Sequence, residues 1–225
     1  MRLLPLFLLL SSLATAGASP WYLVFIRPDP ARQALAPGEG ERIQSAHMAN
    51  IMAMANSGSL VAAGPFGDTP ITISGIFVMK ADSREAAQTL AAKDPTVTAH
   101  RNTVDTHTWN APAGIGEKYF RMHKENPQTP EGMARRAFVM FRGNAEAAPA
   151  LLERLRGQGK LGIAGDVTGE VKDEAALRAV AVFKPEFTPE QARAILEEQP
   201  EIRSGALRPE YHQWWCAAHV LPWED

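Results

Sequence analysis

The sequence predicts an α+β fold made of two tandem βαββαβ modules packed sheet to sheet. Three observations carry this reading. Four blocks of residues recur in the same order in the two halves of the chain. Short β-rich apolar runs alternate with helical segments in each half. Each module alone would leave one sheet face bare, and a second module is the economical cover.

The recurrence is visible residue by residue. Ala81-Asp82-Ser83-Arg84-Glu85-Ala86-Ala87 runs on to Leu90 and Lys93-Asp94-Pro95. It aligns without a gap, at an offset of 105, with Glu186-Phe187-Thr188-Pro189-Glu190-Gln191-Ala192, Ile195 and Glu198-Gln199-Pro200. The same offset brings Asp105-Thr106-His107-Thr108-Trp109 onto Glu210-Tyr211-His212-Gln213-Trp214. Upstream, Gly58-Ser59-Leu60-Val61-Ala62-Ala63-Gly64 matches Gly159-Lys160-Leu161-Gly162-Ile163-Ala164-Gly165, and Leu23-Val24-Phe25-Ile26-Arg27 matches Phe138-Val139-Met140-Phe141-Arg142. Modules are therefore placed at 19–110 and 135–217, with a linker at 111–134 and a tail at 218–225. Ala111-Pro112-Ala113-Gly114 and Asn126-Pro127-Gln128-Thr129-Pro130 mark the linker as loop.

Each element of the first module has a local reason. Trp21 to Ile26 is apolar, aromatic and β-branched, so a strand. A helix follows from Glu41 to Asn56, where Ile43, His47, Ile51 and Met54 fall on one face and Gly58 stands past the end. Leu60 to Ala63 is the second strand, ended by Gly64-Pro65, and Ile71 to Met79 the third. Ser83 is placed to cap a second helix; its counterpart Thr188, with Pro189 and Gln191 behind it, makes a capping box. Asp94-Pro95 closes that helix, because the residue before proline avoids helical geometry. Thr103 to Trp109 is the fourth strand. The order is that of a ferredoxin-like module. Two such sheets packed face to face within one chain make a pseudo-dimeric α+β barrel.

Composition narrows the function classes. The chain has 225 residues, 45% of them hydrophobic, with a formal net charge of −2. That balance excludes a basic nucleic-acid face and an acidic disordered tail. A single cysteine, Cys216, excludes an internal disulfide framework and Cys-based zinc fingers, and reads as a small core residue. Arg2, the apolar run Leu3 to Leu10, and Ala14-Thr15-Ala16-Gly17-Ala18 form the three parts of a secretory signal peptide, residues 1–18, cut after Ala16 or Ala18. An exported protein, periplasmic or secreted and with no membrane contact after cleavage, is expected.

On Tyr22-Leu23-Val24, His47, Leu60-Val61-Ala62-Ala63-Gly64-Pro65 and Ala86-Ala87 leading to Asp94-Pro95, the first module resembles a YCII-related domain of the dimeric α+β barrel superfamily. The second module resembles it in outline, as a degenerate copy. The resemblance implies a histidine–aspartate active-site pair, here His47 and Asp94. Known activities in that family include dehydrochlorination of a lactone, and related folds include muconolactone isomerase and small monooxygenases. A histidine held by a carboxylate suits a general base that takes a proton next to a carbonyl or in an elimination. In the register of the Gly58–Gly159 block Ala148 stands where His47 does, and at the offset of 105 Gln199 stands where Asp94 does, so the second module lacks the pair.

Further candidates concern substrate binding. Arg27, at the end of the first strand, is suited to a carboxylate. Gly64 and Pro65 expose backbone at the end of the second strand. His107 and Trp109 share a strand face with Asp105, as His212 and Trp214 do with Glu210. That pattern reads either as a shared site for metal or substrate, or as a structural seam; the seam is the reading adopted, and no metal or cofactor is expected. Gly-x-Ser-x-Gly, His-Glu-x-x-His and phosphate-binding glycine loops are absent from the sequence. Two function classes result: an exported small-molecule isomerase or lyase using His47 and Asp94, or a non-catalytic extracytoplasmic protein that binds a ligand or partner. Its expected partner is a small-molecule ligand, not nucleic acid, and its expected state is a monomer or weak homo-oligomer.

Overall fold

The structure, a computed structural model, describes residues 21–130, 132–168 and 176–222. The signal-peptide reading of residues 1–18 lies outside the described residues. The first half runs β1 (Trp21–Pro28), α1 (Glu39–Asn56), β2 (Leu60–Pro65), β3 (Gly75–Met79), α2 (Arg84–Ala91), α3 (Pro95–Thr98) and β4 (Asn102–Asn110). After α4 (Glu117–Glu125), the second half runs β5 (Met133–Gly143), α5 (Ala147–Gly157), β6 (Leu161–Thr168), β7 (Leu177–Phe183), α6 (Pro189–Glu197), α7 (Pro200–Arg203) and β8 (Leu207–Ala217). The fold class is α+β, and the order in each half is the ferredoxin-like one with a short extra helix before the last strand.

Three local expectations are refined. Ile71 lies outside β3, which begins only at Gly75. The second helix ends at Ala91, and Asp94-Pro95 opens α3 instead of closing α2: the Asp94 side chain accepts from the Thr96 N–H, with proline at the first helical position. The segment 111–134 is more than loop, since it contains α4. Ile115 is buried there, and the Gly116 N–H donates to the Val220 carbonyl at 2.7 Å. Ser83 and Thr188 cap their helices as expected, the latter in a full capping box.

The eight described strands form one antiparallel sheet in the order β2-β3-β1-β4-β6-β7-β5-β8. The ends of that order meet. Phe66, just past β2, bridges to Trp214 of β8, and the Gly67 N–H donates to the Gln213 carbonyl at 2.8 Å. Alternation along the strands then sorts side chains into an inner and an outer face. Inward-pointing Leu23 and Phe25 of β1 share one apolar cluster with Phe138 and Met140 of β5 and with Trp109 and Trp214. Outward-pointing Tyr22, Val24 and Ile26 pack beneath α1 and α2 on Met54, Ala87 and Ala91. On the other half, Val139 and Phe141 pack beneath α5 and α6 on Leu151, Leu155 and Leu196. The inner cluster joins residues from both halves, so each half covers the apolar part of the other's inner sheet face.

Candidate active site under the first helix layer

The helix α1 brings His47, Asn50, Ile51 and Met54 to its inner face at spacings of three and four residues. His47 is half-buried above Phe77 of β3, with ring centroids 6.1 Å apart and the planes 22° from parallel. Asp94, the cap of α3, comes up beside it. His47 Nδ1 lies 2.9 Å from Oδ1 and 2.8 Å from Oδ2 of Asp94. Asn50 Nδ2 donates to Oδ2 at 2.9 Å. The Thr96 N–H and the Thr96 hydroxyl donate to Oδ1 at 2.9 and 2.7 Å. Asp94 itself is fully buried.

A carboxylate out of water is costly unless its lone pairs are filled. Burial pushes the Asp94 carboxyl up, and the hydrogen bonds from His47 and Thr96 outweigh it, so its pKa is lowered overall. An ionised Asp94 facing Nδ1 fixes the ring with its proton on Nδ1. The other ring nitrogen, Nε2, has no hydrogen-bond partner among the described residues and is not sealed from solvent. It therefore presents a lone pair outward. This is the arrangement of a base oriented by a buried carboxylate.

The structure separates the sequence-selected residues into two groups. His47 and Asp94 sit on the helix side of the sheet, whereas Arg27, His107 and Trp109 lie on its inner side. The Arg27 Nε is 3.7 Å from Asp105 Oδ2, and His107 Nε2 is 2.9 Å from the same oxygen. The His107 hydrogen bond lowers the pKa of Asp105, against a smaller upward push from burial, with Arg27 and Arg142 adding to the lowering. Trp109 Nε1 donates to the Gly165 carbonyl at 3.2 Å, tying β4 to β6. Gly64 stands where β2 approaches β8: a Cβ there would be 1.7 Å from the Trp215 carbonyl oxygen. Pro65 is exposed at the end of β2.

In the second half the corresponding ground is occupied differently. Ala148 is buried in the apolar layer under α5. Gln199, at the foot of α7, accepts from Arg154 Nε at 2.9 Å and donates to the Ile195 carbonyl at 2.8 Å. Arg154 also reaches Glu201. No imidazole stands there.

Sequence reasoning missed Asn50 and Thr96. Asn50 was legible as the residue three on from His47, on the same helix face. Thr96 was legible as the second residue after an Asp-Pro helix start, where a cap receives its N–H. Asp68 was also missed: it joins the Glu210–His212 strand face read from the sequence, its Oδ2 lying 2.6 Å from His212 Nδ1, while Glu210 pairs with Arg142. Asp68 comes from the β2–β3 connection, 144 positions from His212, which no local pattern announces. Among the described residues, no group of three His, Cys, Asp or Glu is placed to hold a metal ion. Nor is any described helix long and apolar enough to cross a membrane.

The residues that build this site fall inside a recognised segment. Residues 21–106 match a family model described as the YCII-related domain. The match takes in β1 to α3 and most of β4, hence both His47 and Asp94. No curated protein matches the chain significantly.

Proposed function

From the YCII-related domain that the chain carries at residues 21–106, we propose that the protein is an exported enzyme of isomerase or lyase type. In this reading His47 removes a proton from a small molecule and Asp94 holds its ring. The observation that carries it is the open Nε2 of an imidazole whose Nδ1 is bound by a buried, four-fold hydrogen-bonded carboxylate. A ring needed only for packing would not require an ionised partner at that cost.

Supporting the rest of the reading is the sequence. The 105-residue offset supports an internal duplication, and the Ala148 and Gln199 positions support a second copy that has given up the chemistry and completes the scaffold. The leader-like pattern of residues 1–18 supports export. The substrate class is a small molecule with a C–H beside a carbonyl, as in a lactone or 2-oxo acid, because the carbonyl acidifies that proton and a neutral imidazole is an effective general base at moderate pH.

The test is deuterium uptake. The full chain is incubated in D2O with a panel of small lactones and 2-oxo acids, and carbon-bound deuterium is followed by NMR. Exchange above the uncatalysed rate, lost in His47→Ala, supports the proposal. Saturable binding of a panel member with no exchange and no conversion moves the protein to the ligand-binding class. Neither exchange nor binding across the panel removes support for both.

A further inference from the structure

The sheet closes through two seams, and they are built unequally. At the β4–β6 seam three successive residue pairs are in register, Thr108 with Thr168, Trp109 with Val167 and Asn110 with Asp166. The Trp109 indole adds its bond to the Gly165 carbonyl. At the β2–β8 seam the pairing is reduced to the Phe66–Trp214 bridge and the bond from the Gly67 N–H to the Gln213 carbonyl, with Gly64 packed against the Trp215 carbonyl beside them. Trp214 aligns with Trp109 at the offset of the repeat, yet its buried Nε1 has no hydrogen-bond partner among the described residues. This seam has the shorter ladder of the two.

What crosses it instead is a side-chain clip. Asp68, in the β2–β3 connection, accepts the Gln213 N–H on Oδ1 at 3.0 Å, while its Oδ2 lies 2.6 Å from His212 Nδ1. The opposite ring nitrogen, Nε2, lies 3.2 Å from Glu210 Oε1, an ion-pair contact without hydrogen-bond alignment. His212 is thus buried between two carboxylates, one on each side of its ring. Phe66 stacks on the ring at 4.8 Å and Phe138 meets it edge-on at 6.4 Å. The charged groups facing this point are Asp68 from the β2–β3 connection and Glu210 from β8 itself. Behind Glu210 stands Arg142 of β5, whose field also reaches Asp105 of β4.

We propose that His212 is a proton-operated clip: its imidazolium form locks the β2–β8 seam, and loss of the proton loosens that seam while leaving the β4–β6 seam intact. A neutral imidazole carries one N–H and one lone pair, so it cannot serve carboxylates on both sides. Only the cation is attracted to both. The direction of titration agrees. Burial pushes the His212 pKa down, but Glu210 and Asp68 outweigh it and the pKa is raised. Glu210 is held at about 2 by His212 and Arg142 against burial, so it remains a carboxylate wherever the ring titrates. A raised imidazole stabilises the closed seam fully below its unfolded value, and the effect is lost as pH rises through the folded value.

The experiment uses the full chain. The protonation of His212 is read from its ring nitrogen shifts, and hydrogen exchange is followed at the Gly67 and Gln213 amides and at the Thr108–Asn110 ladder, across pH 5 to 9. After correction for intrinsic exchange, protection at Gly67 and Gln213 should fall as the ring deprotonates, about tenfold for each unit by which its pKa exceeds the unfolded value. Protection in the β4–β6 ladder should stay flat. In Glu210→Gln the ring should titrate lower and the fall should shift with it. A ring found neutral at pH 6 overturns the proposal, as does seam protection that ignores the titration or falls equally at both seams. The wild-type measurements decide the matter even where a variant fails to fold.

Discussion

Asp94 holds His47 through both of its oxygens, at 2.9 and 2.8 Å, while remaining fully buried itself. The two residues come from helices α1 and α3 and meet above Phe77. Asp94 also caps α3, so the residue that orients the ring is fixed by backbone geometry as well as by side chains. Asn50 and Thr96 supply donors that do not depend on the charge of His47. The carboxylate is pre-set before any ligand arrives, which is what an orienting group for a general base needs.

On the proposed function, His47→Ala should abolish most turnover without unfolding the protein. The His47 side chain is 15% exposed and stands outside the apolar cluster beneath it, so His47→Ala removes little apolar core. Loss of a general base costs about 10²–10⁴ in rate. Deuterium uptake into the accepted substrate should fall by that factor while the circular dichroism spectrum is unchanged. Gln199→Ala, at the aligned position in the second half, should leave the rate within twofold of wild type, roughly the scatter of a change remote from the chemistry. Equal losses in the two variants would mean that His47 acts through stability and not through proton transfer.

Asp94 should matter for stability as well as for chemistry. Asp94→Ala leaves the donors of Asn50 and Thr96 unmatched in a buried place and removes a helix cap. About 1–3 kcal/mol is expected for the stranded donors and ~1 kcal/mol for the cap, read as a shift in urea midpoint. The pH dependence has a definite sign. The folded pKa of Asp94 is lowered, so its contribution is present above the unfolded carboxyl value of about 3.9 and is lost as pH falls through the folded value. Wild-type stability should therefore decline in acid more steeply than that of Asp94→Ala. Parallel acid limbs would assign the wild-type decline to other carboxylates.

The sequence made the elements of the fold legible because they follow local rules. The stripe of Ile43, His47, Ile51 and Met54 faces inward, Ser83 caps α2, and Gly58 sits just past α1 with a φ of 76°. Distant juxtapositions were legible only in part. Strand alternation correctly put Asp105, His107 and Trp109 on one face, but it did not show that this face is turned away from His47. Arg27 therefore shares its face with Asp105 and stands across the sheet from the His47–Asp94 pair. The Asp68–His212 contact depends on how the sheet closes, which is a property of two strand ends and not of either segment. The helix α4 went unseen because Pro112, Gly114 and Pro130 surround it with turn residues.

Halving the chain should expose a large apolar face. The inner cluster takes Leu23, Phe25 and Ile76 from the first half, and Phe138, Val180 and Val182 from the second, each 1% exposed or less. Residues 19–118 made alone would turn that surface to water, at about 25 cal/mol per Å² of lost burial. Sedimentation should show that fragment as a dimer or larger aggregate. A well-folded monomer of the fragment would argue that the inner face is dispensable.

Gly64 and Gly165 should be intolerant of any side chain. A Cβ at Gly64 would lie 1.7 Å from the Trp215 carbonyl oxygen, and one at Gly165 would lie 2.0 Å from that of Asn110. Both obstacles are backbone, so no side-chain rotation relieves them. The two glycines align in the sequence repeat, and each marks a seam where one half's second strand meets the other half's last strand. Gly64→Ala and Gly165→Ala should each destabilise by at least the ~1–3 kcal/mol usual for overpacking, since a seam must part to admit the methyl. Gly157, at the end of α5, has open space around it and no left-handed backbone. Gly157→Ala should therefore be neutral or stabilise by up to about 1 kcal/mol through helix propensity. Thermal melts of the three variants decide the point. A Gly64→Ala protein that melts with wild type would mean that β2 and β8 do not approach as closely as this seam requires.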